Sequence, residues 1–178
     1  MPTTGRDTVL PDQVAGRSEA PRVHLLCGLV GAGKTTHARH LAAELPAVRF
    51  SLDEWMLRLY ELPYDDPQYA VRVEGCTALI WETAMQVLAL GHDVVLDGNQ
   101  WSRKHRQTWR QRVEAAGYRP ILHHIDVSVE TAVEQVARRT ATGVPGSHPI
   151  DEAGVRHHRT IFEPPDENEG IEIVTVRR

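Results

Sequence analysis

Two hydrophobic rhythms alternate along the chain from Arg22 onward. Short runs that are apolar at nearly every position, such as Val23-His24-Leu25-Leu26-Cys27 and Val94-Val95-Leu96, predict strands. A strand packed from above and below needs no polar side, so its sequence does not alternate. Five strands are expected, over about 22–27, 48–52, 93–97, 119–126 and 171–176. Between them apolar residues recur at helical spacing. The stretch 68–90 carries Val73, Ala78, Leu79, Ala84, Val87 and Leu88, and it stops at Gly91, so a long helix is expected there. Shorter helices are predicted over 36–45, ended by Pro46, and over 54–60. Ser102, Ser128 and Asp151 are candidate N-caps for three more, running to about 116, 140 and 162. Residues 62–67 and 141–149 are loops; the second holds two glycines and two prolines.

Strands alternating with helices predict an α/β domain. Its sheet is parallel, its crossovers are right-handed, and helices cover both faces. Residues 1–20 break the rhythm. They are polar and show no apolar period, and three prolines fall within the first 21 positions, so a flexible leader is expected there and one folded domain over 21–178.

Composition narrows the class. A chain of 178 residues is long enough for one α/β domain with a full core. Its net charge of −4 argues against nucleic acid as the main partner. No apolar run reaches the roughly 18 residues of a membrane span, and the N-terminus lacks the apolar stretch of a signal peptide. A cytoplasmic protein with no membrane partner is expected. Cys27 and Cys76 are the only cysteines, one in a predicted strand and one in a predicted helix, and they read as buried free thiols.

The chemistry is concentrated in Gly28-Leu29-Val30-Gly31-Ala32-Gly33-Lys34-Thr35-Thr36, a complete G-x-x-x-x-G-K-S/T phosphate-binding loop. Gly28, Gly31 and Gly33 let the backbone wrap a polyphosphate, with the amides from Ala32 to Thr36 pointing inward. Lys34 reaches the β- and γ-phosphates, and the Thr35 hydroxyl suits Mg²⁺. The helix that follows adds its positive end. The chain has only two lysines, Lys34 and Lys104, and one of them stands where the motif requires it.

Ligands in such sheets lie beyond the carboxyl ends of the strands. That rule gathers Asp53, Asp97 and Asp126 near the loop. Asp53 follows the second strand, where a carboxylate can take a proton from an acceptor hydroxyl or can cap the next helix. Asp97 ends the third strand and suits a Mg²⁺ carboxylate acting through water. Arg138, Arg139, Arg156 and Arg159 flank the glycine- and proline-rich loop, an arrangement that suits a closing lid over about 138–160. Arg103 and Arg106 are further candidates to face the acceptor or the nucleotide. Trp55, Tyr60, Tyr64, Tyr69 and Trp101 fit either core packing or an aromatic acceptor pocket. The ten histidines form no metal-ligand spacing; His123 and His124 point to opposite faces of a strand, and His157 and His158 adjoin on a helix.

These pieces resemble the small P-loop kinase group, which includes the polynucleotide 5′-hydroxyl kinase domain, chloramphenicol phosphotransferase, zeta-type toxins, and shikimate or gluconate kinases. The matching residues are Gly28 to Thr36, Ser51-Leu52-Asp53, Val94-Val95-Leu96-Asp97-Gly98-Asn99, and Arg138-Arg139 with the loop after it. The resemblance implies a three-layer P-loop NTPase fold with strand order 2-3-1-4-5 and a helical lid. It implies that Asp53 acts on the acceptor hydroxyl and that lid arginines, Arg139 or its neighbour Arg138, contact the phosphates. ATP or GTP with Mg²⁺ is the implied cofactor set. The expected function is transfer of the γ-phosphoryl group to a hydroxyl of a small molecule. The arginine- and alanine-rich composition hints at a GC-rich genome, which brings an antibiotic, in self-resistance, among the candidate acceptors. The alternatives are a polynucleotide 5′-hydroxyl kinase and a regulatory ATPase with no acceptor. Neither the acceptor nor the oligomeric state is written in the pattern.

Overall fold

The computed structural model of the protein describes residues 19–178 apart from Glu61, Pro63, Tyr64, Asn99 and 143–149. Most of the expected leader, the centre of the expected lid, Tyr64 and Asn99 therefore lie outside the described residues. Strands β1 (Arg22–Gly28), β2 (Ala47–Ser51), β3 (Asp93–Asp97), β4 (Arg119–Asp126) and β5 (Glu172–Arg177) form one sheet in the order β2-β3-β1-β4-β5. Every neighbouring pair is parallel. This is the three-layer arrangement expected of a P-loop NTPase.

The helices are α1 (Lys34–Glu44), α2 (Leu52–Leu59), α3 (Tyr69–Ala89), α4 (Arg103–Ala115), α5 (Val129–Thr142) and α6 (Glu152–Ile161), and a 3-10 turn over Glu167–Glu169 precedes β5. Ser102 caps α4 through the His105 amide, and Asp151 caps α6 through the Gly154 amide. Each side-chain oxygen satisfies an amide that the helix itself leaves unpaired. One boundary differs from expectation. Leu52 opens α2 instead of closing β2, so Asp53 stands in the first turn of a helix.

The central strands carry the core. Along β1, Val23, Leu25 and Cys27 join the large cluster on one face, with Ile80 of α3 and Val113 of α4. Leu26 joins a small cluster with Ala38 of α1 on the other. All of these side chains are buried, which is why the strand reads as apolar throughout. Adjacent histidines on β4 divide in the same way. His123 bonds His37 of α1, whereas His124 stacks on Phe162 at the end of α6. Among the described residues no helix is long and apolar enough to cross a membrane.

Candidate active site

The phosphate loop leaves β1 at Gly28 and enters α1 at Lys34, and its shape depends on its glycines. Gly31 has φ of 83°, and a Cβ there would stand 2.7 Å from the Ala132 carbonyl oxygen of α5. At Gly28 a Cβ would meet the Ile125 carbonyl oxygen at 2.6 Å. Both distances are below any normal carbon–oxygen contact, so these positions demand glycine for space as well as for conformation. Gly33, with φ of 89°, is the N-cap of α1. Ala32 is fully buried and its amide donates to the Leu29 carbonyl. Thr35 is half-buried in the first turn of α1, and Thr36 is exposed.

Lys34 folds back across the loop, donating from Nζ to the carbonyls of Gly28 and Leu29 at 3.0 and 2.9 Å. Burial lowers its pKa from the ordinary lysine value, and the carboxylates of Asp97 and Asp53 work against that shift. Arg139 pushes in the same direction as burial. Four residues from α1, α2, β3 and α5 thus share one electrostatic neighbourhood. Of the two adjacent arginines closing α5, Arg139 is half-buried and acts on Lys34, whereas Arg138 is exposed. Arg156 is exposed and pairs along its own helix with Glu152, and Arg159 is also exposed.

Asp97 has a partner that the sequence did not suggest. Arg49 of β2 donates from Nη1 to its Oδ2 at 3.0 Å and from Nη2 to Glu54 Oε2 at 2.6 Å. Arg39 of α1 holds the other oxygen of Glu54 at 2.8 Å. These contacts bind the edge strand β2 to β3, α1 and α2, and they hold Glu54 below its ordinary pKa although its burial opposes this. Hard-oxygen donors suit Mg²⁺, which takes one or two carboxylates together with substrate phosphates. The Thr35 hydroxyl and the Asp97 carboxylate are donors of that kind. Among the described residues no group of three or more His, Cys, Asp or Glu side chains could hold a metal by itself.

Two expected site residues lie elsewhere. Arg106 is buried and clamps Glu169 from Nε and Nη2 at 2.7 and 2.6 Å. It also donates to the carbonyls of Gln100 and Glu163. Arg103 pairs with Asp166 and donates its amide to Glu163. Both arginines therefore tie α4 to the segment before β5 and do not face the phosphate loop. Of the aromatic residues, Trp55, Tyr60, Tyr69 and Trp101 pack against the core, which is the first of the two readings. Trp55 packs edge-on against Phe50, and Trp101 against His105 and His158. A cavity does open beside Asp97, between α3 and the start of α4, and the aromatic rings in its wall are those of Phe50, His105 and Trp109.

His158 is the residue that sequence reasoning passed over. Its Nδ1 accepts from the Val30 amide of the phosphate loop at 3.5 Å, and its ring stacks on Phe162. Burial, with Lys34 nearby, pushes it down to about 4, so it is neutral at pH 7 and Nδ1 is available as an acceptor. A signal was present. His158 falls three residues after Val155 and four before Phe162, on the stripe of α6 that both of those buried residues mark.

The comparisons agree with this geometry. The AAA domain family model matches residues 23–165. No curated protein matches the sequence. Among solved structures, a candidate kinase from Chloroflexus aurantiacus is 24% identical, with a TM-score of 0.68 and 89% of each chain covered. The Pnkp1/Rnl/Hen1 RNA repair complex contains a chain 21% identical at a TM-score of 0.66, with 81% of this chain and 44% of that one covered. A sugar kinase from Janibacter is 16% identical at a TM-score of 0.59, over 88% and 85% of the two chains. With a phosphate loop leaving the central strand of a 2-3-1-4-5 sheet and a family match spanning most of its length, this chain belongs to the AAA domain family.

Proposed function

We propose that the protein is a nucleoside triphosphate-dependent kinase that phosphorylates a hydroxyl group of a small molecule in the cytoplasm. One observation carries the reading. Asp53 and Asp97, from different elements, share the electrostatic neighbourhood of Lys34 and Arg139 at the phosphate loop. A regulatory ATPase needs the loop too, and in it the same carboxylate would activate water, so the two readings part on whether a hydroxyl acceptor takes the phosphoryl group.

In this reading the amides of the loop and Lys34 hold the β- and γ-phosphates of ATP or GTP. The bond from the γ-phosphorus to the bridging oxygen breaks, and a bond to the acceptor oxygen forms. The acceptor hydroxyl gives its proton to the Asp53 carboxylate. The products are a phosphate monoester and a nucleoside diphosphate. Lys34 and Arg139 offset the negative charge that spreads over the transferred group, where fixed cations act most strongly. Bound Mg²⁺ would neutralise phosphate charge, held by the Thr35 hydroxyl and, through water, by Asp97. Arg49 positions Asp97 through its bond to Oδ2.

The test is transfer of γ-labelled phosphate from ATP or GTP, with Mg²⁺, to a panel of hydroxyl compounds that includes antibiotics, sugars and a 5′-hydroxyl oligonucleotide. Label in an acceptor, lost in the Lys34→Ala variant, is the expected result. Hydrolysis at the same rate with and without acceptors, and no labelled product, would favour the regulatory ATPase.

A further inference from the structure

A second guanidinium stands at the phosphate loop, besides that of Arg139, on the side away from Asp97. A Cβ placed on Gly33 would lie 3.1 Å from Nη1 of Arg178, the residue after β5, and 3.4 Å from Oε1 of Gln135 on α5. Both side chains therefore approach the loop at the N-cap of α1. The sheet order explains how they get there. β1 feeds the loop; β3, which ends in Asp97, adjoins it on one side, and β4 and then β5 follow on the other. Asp97, Asp53 and Arg139 act on Lys34, whereas Arg178 acts on His37, whose amide bonds the Gly33 carbonyl one turn into α1. Gln135 precedes Arg139 by one turn of α5, so one face of that helix carries both.

The charges at this place have one sign. A helix N-terminus is positive and repels a cation, and α1 has no acidic residue in its first turn to offset this. Arg177, the neighbour of Arg178, pairs with Asp126. Arg178 donates its backbone amide to the Asp126 carbonyl at 3.4 Å, but no ion pair among the described residues engages its guanidinium. A guanidinium held against the positive end of a helix is matched when an anion lies between them. The phosphate chain of a nucleotide is that anion, because the loop amides are built to surround it.

We propose that Arg178 is a nucleotide-binding residue whose guanidinium donates to the α-phosphate. This rests on the kinase reading above. In a phosphate loop the lysine reaches the β- and γ-phosphates, and the amides around it hold the α- and β-phosphates. Lys34, Asp53 and Asp97 mark the γ end on the β3 side, so the α-phosphate and the nucleoside lie toward Gly33 and β5. Arg178 there contacts a group that a triphosphate and a diphosphate share. Arg139, which acts on Lys34, serves the transferred group instead. The two arginines thus have separate roles, one in holding the nucleotide and one in the transfer.

Binding of ATP, ADP, GTP and GDP to the intact protein, measured by isothermal titration calorimetry, tests this. Arg178→Gln should weaken the triphosphate and the diphosphate of the preferred base by the same factor, about ten- to hundredfold, the usual effect of losing a hydrogen bond between charged groups. Arg178→Lys should restore part of the loss, since lysine keeps the charge but not the planar fork. Arg177→Gln removes the same charge one residue away and should change affinity by less than about twofold, because an exposed charge outside the site is screened. Arg178 is exposed, so its variants should keep the fold, which circular dichroism checks. Unchanged affinities in Arg178→Gln would overturn the proposal. So would a loss for the triphosphate alone, which would put Arg178 at the γ-phosphate, or an equal loss in Arg177→Gln, which would reduce the effect to net charge. A wild-type protein that binds none of the four nucleotides would overturn the kinase reading and this assignment with it; binding by the wild type with an unchanged Arg178→Gln variant would overturn only the assignment.

Discussion

At the scale of single residues, the site depends on a few charges in a small space. Lys34 is held by two carbonyls of its own loop and lies in the field of two carboxylates. Lys34→Ala should cut phosphoryl transfer by about 10²–10³, the usual cost of losing one fixed group aimed at developing charge, and circular dichroism should show an unchanged fold. Asp53→Asn should lower transfer by about 10²–10⁴, since an amide cannot take the proton. Nucleotide affinity, read by titration, should move by less than about tenfold, because Asp53 is assigned to the acceptor and not to the phosphates. Strong loss of nucleotide binding with normal transfer at saturation would reverse that assignment. Asp97→Asn should raise the Mg²⁺ concentration needed for half-maximal rate by roughly 10–100-fold, the usual cost of losing a partner in a metal's outer shell. An unchanged Mg²⁺ titration would leave Asp97 only its bond to Arg49. The loop motif was legible in the sequence because its spacing is strict. The bond from Arg49 to Asp97 was not, because it joins residues 48 positions apart on neighbouring strands.

Elements are joined here by buried polar contacts as well as by apolar packing. Arg106 on α4 and Glu169 in the 3-10 turn are almost wholly buried and bonded twice. Glu169 also completes a capping box with Asp166. Removing one partner strands the other charge in the interior, so Arg106→Met should destabilise the fold by about 3–5 kcal/mol. The double variant Arg106→Met with Glu169→Leu should recover much of that loss, since apolar replacement of a buried ion pair is often close to neutral. Urea unfolding of the two single variants and the double variant tests this. Equal midpoints for wild type and Arg106→Met would show that the pair does not anchor α4 to the segment before β5. Arg106 could not be placed from its helical position, because both Arg103 and Arg106 look like free cations until the chain returns and brings Asp166 and Glu169 to them.

Across the whole molecule, one polar chain links strands and a helix that are distant in sequence. His37 of α1, His123 of β4 and His24 of β1 follow one another, and His24 ends on Asp93 of β3. With Asp93 as the acceptor, His24 donates from Nε2, His123 donates from Nε2 to His24 Nδ1, and His37 donates from Nε2 to His123 Nδ1. Every ring is then neutral, and a proton added to the middle of the chain has no acceptor left to serve. Burial and the neighbouring rings push His123 down to about 3, against 6.5 for the free side chain. The unfolded chain therefore binds more protons between those two values. Stability is full above about pH 6.5 and falls as the pH drops toward 3, by up to about 1.4 kcal/mol per pH unit for one proton. His123→Gln should flatten that slope in urea titrations between pH 4 and 7; an unaltered slope would assign the acid sensitivity to other groups. The sequence by itself determined the phosphate loop, the alternation of strands and helices, the parallel sheet and most of the caps, because each of these is written in neighbouring residues, in turn chemistry or in a hydrophobic period. Only the tertiary structure decided that Arg139 is half-buried near Lys34 while Arg138 is exposed, that His158 touches the phosphate loop, that Arg106 is a clamp, and that a largely apolar cavity lies beside Asp97. The physical reason is that a side chain's environment in a parallel α/β fold is built by elements that adjoin in space and are separated along the chain. A residue's type and period predict whether it is buried, and the crossovers decide which side chains it meets there.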